Sequence, residues 1–409
     1  MSPYRVLDLT DERGILCGKI LADLGADVIQ IEPPEGSSAR RVGPFYQDEA
    51  HPDRSLFWWS YAANKRSITL NLSSRDGCAL LKRLVSSAHF FIESCPPGHM
   101  EHLGLGYDTL AAINPALIVV SVTPFGQDGP YAQYRAADLN GMAMAGFMYL
   151  TGDPDRPPAR VGVPHFYLHG AAAGATGAMI AHAQRVLTGR GQHVDVSCQE
   201  AVARTLASAP QLFAIENTVI RRQGSYRQTG DKTFMRITWP CKDGFVNFQL
   251  SGGAGAGRSV NNLIQWMEDE GLGDPAITGL DWTTLGYGMI NKELLERVVP
   301  PVERFLMSQT KAELFEGAVK RRILLFPVAT TRDIMQNTQL QARGYFRQVS
   351  HPELGIPITL PGPFVRASTT PLTLRRLAPK LGEHNADIYL DELGLTREEL
   401  VRLREAGAI

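Results

Sequence analysis

His165, Tyr167 and His169 place two imidazoles and a phenol at alternate positions within residues 161–197, VGVPHFYLHGAAAGATGAMIAHAQRVLTGRGQHVDVS. An imidazole titrates near neutral pH and so suits general acid–base work. A phenol, with a pKa near 10, is a hydrogen-bond donor at neutral pH. No Asp or Glu occurs between Val161 and Arg190, so this run carries no carboxylate for covalent catalysis. The plain alternative is that His165 and His169 are surface or supporting groups.

Other chemistries find little support. Five cysteines, Cys17, Cys78, Cys95, Cys198 and Cys241, are odd in number and scattered without a CxxC pair. That pattern argues against a disulfide framework or a zinc site and predicts reduced, mostly buried thiols. The first strand-to-helix turn, Thr10-Asp11-Glu12-Arg13-Gly14, lacks GxGxxG and sets two carboxylates where a dinucleotide pyrophosphate would lie. Residues 251–257, SGGAGAG, are followed by no P-loop Lys-Ser/Thr and read as a flexible loop. Lys and Arg total 41 against 42 Asp and Glu, a net charge of −1, so no global field draws the chain to nucleic acid or an anionic membrane. MSPYRVLDLT has no charged and apolar leader pattern, and no run reaches about 18 apolar residues, which predicts a cytoplasmic protein.

The elements that must position these residues alternate. Strand patterns at 6–9 and 27–32 enclose a helical pattern at 14–24, with Gly25 as its stop. A strand at 67–72, a helix at 77–87 and strands at 90–93 and 116–122 continue the series and predict a parallel α/β sheet. Small residues at 170–177 open a helix that runs to Arg185 and admits close backbone approach. Residues 216–231 read as a linker, and 239–250 as a hairpin turning at Lys242-Asp243-Gly244. Helices are predicted at 260–270, 292–308 and 311–321, and Phe326-Pro327-Val328 begins a return to the first domain. With 409 residues, a large core is assured.

Several blocks together resemble the class III CoA-transferases, the CaiB/BaiF or formyl-CoA transferase family. They are VLDLT, ADLGADVIQIEPPEG, Asn64-Lys65-Arg66-Ser67, the run ESCPPGHMEHLG from Glu93, the turn Thr188-Gly189-Arg190-Gly191-Gln192, and the closing APKLGEH from Ala378. The resemblance implies a Rossmann-like large domain built from both chain ends with a smaller α+β middle domain, in an interlocked dimer. It sets the N-terminal part of the large domain at 1–215, a linker at 216–238, the small domain at 239–325, and a linker with the C-terminal return at 326–409. It also implies coenzyme A or an acyl-CoA, with a small carboxylic acid, as substrates, and neither metal, nucleic acid nor membrane as a partner.

In the family an Asp attacks the acyl-CoA, giving a mixed anhydride and then an aspartyl-CoA thioester. A gap-free count back from Thr188 puts Tyr167 at that Asp's position. The family has members built from two different subunits, as in succinyl-CoA:benzylsuccinate transfer, so one reading is a subunit whose homologous partner supplies the Asp. A second is a stand-alone CoA-thioester racemase or isomerase using His165 or His169, or an enzyme drawing a carboxylate from Asp138 or Asp153. A third is a CoA-ester binding protein without catalysis. Family position implies a CoA site from Glu12, Arg13, Asn64, Lys65, Arg66, Ser94, Cys95, Pro97, Gly98, His99 and Met100, with Arg40, Arg41 and Arg135 as further phosphate-binding candidates. Ser94, Cys95 and His102 depart from the Asn, Phe and Arg common in the family, and the family's glycine loop falls near residues 223–226, which are not glycine-rich.

Overall fold

A computed structural model describes residues 1–228, 234–286, 289–351 and 354–409. The chain divides into two compact units, the first comprising Met1–Ala145, Gly162–Thr205 and Thr338–Ile409, the second Gly146–Val161 and Leu206–Asn337. The observed boundaries differ from the expected ones. Residues 146–161, 206–215 and 326–337, placed by sequence in the large domain and its return, belong to the second unit, and residues 229–233 of the expected linker lie outside the described residues.

The first unit is built on six parallel strands: β1 (Arg5–Leu9), β2 (Asp27–Glu32), β3 (Lys65–Thr69), β4 (Phe90–Glu93), β5 (Ile118–Thr123) and β6 (His193–Ser197), in the order β3-β2-β1-β4-β5-β6. Alternation of side chains sorts them between two faces. Leu7, Ile29, Ile31, Ile68 and Phe91 enter one core with Leu80, Leu81 and Leu84 of the helix Arg75–Val85 and Leu403 near the C-terminus. The opposite face carries Asp8, Gln30, Glu32, Lys65 and Ser67, all buried. Over that side lie α1 (Ile15–Asp23) and the 23-residue α7 (Phe166–Thr188). Between these two in chain order come α2 (Leu56–Ala62), α3 (Arg75–Val85), α4 (His99–His102), α5 (Tyr107–Ile113) and α6 (Asp138–Met144).

Close approach depends on glycine. A Cβ on Gly18 would meet the Asp8 carboxylate at 1.8 Å, and one on Gly170 would meet Cys198 Sγ at 2.2 Å. Two sequence expectations shift. β3 begins at Lys65 rather than at 67, because the strand's charges find partners inside the fold, and α7 begins at Phe166, before the small-residue run. β6, with its V-D-V-S alternation, is an element the sequence reading omitted.

The outer edge of β3 is closed by the C-terminal segment, which prevents an open ladder. Asn64 N donates to Arg376 O (3.0 Å), Ser67 N to His384 Nδ1 (3.2 Å) and Thr69 N to Asn385 Oδ1 (2.9 Å). Pro379 O accepts from both Trp58 Nε1 and Arg40 Nη2 at 3.0 Å.

The second unit has a three-stranded antiparallel sheet, with Gly244–Phe248 between Thr238–Cys241 and Leu325–Pro327. The helices Ala256–Asp269, Lys292–Ser308 and Lys311–Arg321 pack on it around Trp239, Trp266 and Phe305. The SGGAGAG run is not an open loop: a Cβ on Gly257 would meet Trp282 O at 2.3 Å, and one on Gly252 would meet Leu285 O at 2.1 Å. Among the described residues no helix is long and apolar enough to cross a membrane.

Lys65 is wholly buried, and its Nζ donates to Asp8 Oδ2 (2.7 Å), Ile15 O (2.9 Å) and Gln30 Oε1 (2.9 Å). Removing one member of such a pair strands the other charge. Lys65→Met is expected to destabilise the protein by about 3–5 kcal/mol, whereas exposed Arg41→Ala stays within about 0.5 kcal/mol. Chemical denaturation checks this, and equal midpoints for the two variants would contradict the burial.

Candidate functional site

In an open α/β sheet, ligands bind outside the carboxyl ends of the strands where the strand order reverses. Here that point lies between β1 and β4. A cleft of about 670 Å³ occupies the carboxyl ends of β1 to β4, with Thr10 and Asp11 following β1, Pro33 to Ser38 following β2, Leu70 to Ser73 following β3, and Cys95, His99 and Leu103 following β4. Gly407, near the C-terminus, completes the wall.

Its floor is rigid for an electrostatic reason. Asp8 accepts from Thr10 N (3.1 Å) and Thr10 Oγ1 (2.6 Å) besides Lys65. Gln30 Nε2 ties the carbonyls of Asp8 and Thr10 to β2. Burial lowers the Lys65 ammonium from its ordinary value, against the pull of Asp8. Glu32 holds Arg40 through two hydrogen bonds of 2.6 and 2.8 Å and also accepts from Ser67 Oγ and Ser37 N.

These contacts correct two phosphate-binding expectations. Lys65 spends all three protons on the sheet and on α1. Arg40 is buried, paired with Glu32 and Asp53 and stacked 3.9 Å over Trp58. Neither presents its charge to a ligand. Asn64 is likewise committed, its amide donating to Asp23 Oδ1 and Thr373 O while its carbonyl accepts from Arg375 N. Arg66 is held by Asp27 and Glu392.

Of the others, Cys95 and His99 line the cleft, and Arg13, Ser94 and Glu12 bond to residues that line it. Arg13 grips Asp11 through Nε at 2.9 Å to each oxygen, and Glu12 accepts from Ser38. Ser94 Oγ donates to Asp11 Oδ1 (3.1 Å) and accepts from Asp11 N (3.2 Å). Cys95 and His99 line the wall; burial raises the Cys95 thiol, so it is no thiolate. Gly98 takes a φ of 81° as the loop turns into α4, Pro97 O lies 3.4 Å from Gln133 Nε2, and Met100 points into the core. Arg41 and Arg135 are exposed.

Tyr167 sits in the first turn of α7, 8% exposed. Its Oη donates to Ala136 O at 2.5 Å. Burial raises the phenol from its ordinary value, against the pull of Arg13, so it is a fixed donor and not a base. Asp138 Oδ1 accepts from Phe166 N at 2.8 Å, which caps α7 and engages that carboxylate. His169 Nδ1 lies 2.7 Å from His165 O, an acceptor, so Nδ1 carries a proton, and in the neutral ring Nε2 holds the lone pair. The two rings are 5.5 Å apart.

Sequence reading missed the cleft's residues after β2 and β3 and the group beneath the Ser94–Met100 loop. Glu93, 4% exposed at the end of β4, accepts from Cys95 N at 2.5 Å and from Ser121. Ser121 Oγ is 2.9 Å from His193 Nε2. Position after a strand end at the switch point was the available signal for the cleft; Glu93 had none, since Ser121, its partner besides the nearby Cys95 N, lies on β5.

Comparison with known proteins agrees with the fold. The profile of CoA-transferase family III matches residues 1–385. The chain is 35% identical over 410 residues to the succinyl-CoA:(R)-benzylsuccinate CoA-transferase subunit BbsE of Thauera aromatica, covering 100% of this chain and 98% of that one. It is 33% identical over 415 residues to succinyl-CoA–D-citramalate CoA-transferase of Chloroflexus aurantiacus, covering 100% and 98%. A crystal structure of a CaiB/BaiF family protein from Brucella suis superposes with a TM-score of 0.77 at 27% identity, over 95% of this chain and 98% of that one.

Burial pushes Glu93 up to about 7, with the hydrogen bonds from Ser121 and Cys95 pulling the other way. A carboxyl whose folded pKa exceeds its unfolded value favours the fold in its neutral form, so this contribution is full below the unfolded pKa, near 4.5, and is lost as pH rises through about 7. Glu93→Gln is expected to be more stable than the native chain above pH 8, with the difference shrinking toward pH 5. A difference independent of pH in denaturation experiments would refute this assignment.

Proposed function

This chain belongs to CoA-transferase family III, and we propose that it is the subunit lacking the attacking carboxylate in a two-subunit CoA-transferase, its partner being a homologous chain that contributes an Asp. The observation that carries this reading is Tyr167, whose phenol is spent on Ala136 O at the position where a gap-free count from Thr188 places the family's Asp. Transfer through a carboxylate requires two acyl carbons. The enzyme oxygen attacks the thioester and releases CoA thiolate, giving an anhydride; the thiolate then attacks the enzyme's own carbonyl, giving an enzyme thioester and freeing the first acid. A phenol could take the acyl group as an aryl ester, but it has no carbonyl on which CoA could re-form a thioester. The Thauera relative is named as a subunit, which supports an assembly of more than one kind of chain.

We place CoA in the cleft at the strand ends, with Glu12, Arg13 and the Ser94–Met100 loop at its wall and exposed Arg41 and Arg135 as the cations free to approach phosphate. The acceptor is a small carboxylic acid. Five free cysteines suit the cytoplasm. A second reading rests on the Nε2 lone pair of His169, which fits a general base in a racemase- or isomerase-like reaction on a CoA thioester; wash-in of solvent deuterium α to the thioester, abolished in His169→Gln, would select it. A third, CoA-ester binding without catalysis, predicts neither transfer nor exchange.

The purified single chain is expected to transfer no CoA between a thioester and a free acid. With its homologous partner, transfer appears, hydroxylamine or borohydride traps an adduct on the partner only, and Tyr167→Phe changes the rate modestly. A covalent adduct on a carboxylate of this chain, found by mass spectrometry, would overturn the reading.

The C-terminal return supports an interlocked dimer in which two chains thread through each other, either two copies or this chain with its homologue. Threaded chains cannot part without unfolding. Sedimentation at low concentration is expected to show no folded monomer, and a compact monomer would exclude threading.

A further inference from the structure

The first unit holds a second cleft, of about 590 Å³, which shares no lining residue with the one at the strand ends. Trp58 and Trp59 of α2, Asp53, His351 and the closing segment from Arg375 to His384 form its walls. Its chemistry follows from one imidazole. His384 faces the edge of β3, where its backbone N donates to Ser67 O (2.9 Å) and its Nδ1 accepts from Ser67 N (3.2 Å). A backbone N–H can only donate, so Nδ1 keeps its lone pair and the ring proton is on Nε2. A flip of the ring would forfeit the Ser67 bond.

At 3.3 Å from Nε2 stands Nη1 of Arg376, which is also only a donor. Two N–H groups therefore converge, with no acceptor between them among the described residues. Burial lowers the His384 pKa; the carboxylates of Glu383 and Asp387 pull it up and the charges of Arg376 and Arg66 pull it down, and the net lowering is consistent with the neutral ring that the Ser67 bond demands. Neighbouring acids are engaged elsewhere: Asp53 pairs with Arg40 at 2.8 Å, and Glu383 accepts from Lys380 N at 2.8 Å. Arg375 does not contribute, since its guanidinium donates to the carbonyls of Ala22 and Ala26. Trp59 closes one wall with its ring 5.0 Å from that of His351, whose Nδ1 is buried and has no partner among the described residues.

We propose that this cleft is a binding site for an organic oxyanion, a carboxylate or a phosphoryl group clasped by His384 Nε2–H and the Arg376 guanidinium, its body lying along Trp59, Leu377 and Ala378. An oxyanion is the complement of two converging donors, one of them charged. The volume exceeds what a bare inorganic ion fills, which is why a body is part of the assignment. The site stands independently of the role of Tyr167 and of the CoA cleft.

The test is calorimetric titration of the full chain, in its native assembly, with benzoate, phenyl phosphate and inorganic phosphate in parallel. Binding of benzoate identifies a carboxylate ligand and binding of phenyl phosphate a phosphoryl ligand, each tighter than inorganic phosphate. Arg376→Gln should weaken binding about tenfold or more, with Arg376→Lys intermediate. Arg41→Gln, an exposed residue that does not line this cleft, should leave it unchanged. With uniform ¹⁵N-histidine labelling, the His384 Nε2 resonance should move on titration. Three results overturn the proposal: no probe binds at millimolar concentration, Arg376→Gln binds as the native chain does, or Arg41→Gln weakens binding as much as Arg376→Gln.

Discussion

The ion pair between Lys65 and Asp8 is the constraint on which the first unit is built. Desolvating two charges costs several kcal/mol each, and a buried pair survives only when geometry and extra hydrogen bonds compensate. Here they do. Lys65 has three acceptors at 2.7 to 2.9 Å, and Asp8 spends its second oxygen on Thr10. The pair joins β3 to β1 across β2, with Gln30 as the link, and Gly18 exists to let α1 lie against the Asp8 carboxylate. The cleft opens directly at the end of β1, so the same network that makes the polar face tolerable also fixes Thr10 and Asp11 in its wall.

α7 answers a different constraint. Gly170, Gly174 and Gly177 face Cys198, Val122 and Val194, at distances no side chain would permit or nearly so. The helix is thereby pressed onto the sheet, and its first turn, capped by Asp138, is delivered beside Arg13 and Asp11. At that turn Tyr167 gives a donor bound to backbone. The long run of small residues thus ends at a buried phenol committed to the Ala136 carbonyl.

Much of this was legible in the sequence. Alternating apolar runs gave the parallel sheet, and the small-residue stretch gave α7, because both depend on local periodicity. What failed depended on pairing between distant strands. Lys65 and Arg40 look like phosphate ligands when their neighbours in sequence are all that can be seen; Asp8, which claims Lys65, comes from a distant strand, and Glu32 meets Arg40 only because the chain turns back after β2. The SGGAGAG run looked loose because glycine signals either freedom or close contact, and only the carbonyls of Trp282 and Leu285 decide between them. The irregular segment before APKLGEH had no periodicity to announce that it would grip Asn64.

That grip has a consequence for synthesis. Ser67 meets its edge partner His384 across 317 residues of chain. At ribosomal rates of about 5–20 residues per second, β3 waits roughly 15–60 s between its own emergence and the arrival of the segment that covers it. Throughout that interval the nascent sheet shows an unpaired ladder to its surroundings. A neighbouring nascent chain on the same messenger carries the same bare edge, so the polysome itself is where mispairing competes hardest with the native fold, and slower elongation through the second unit would lengthen the exposure in direct proportion.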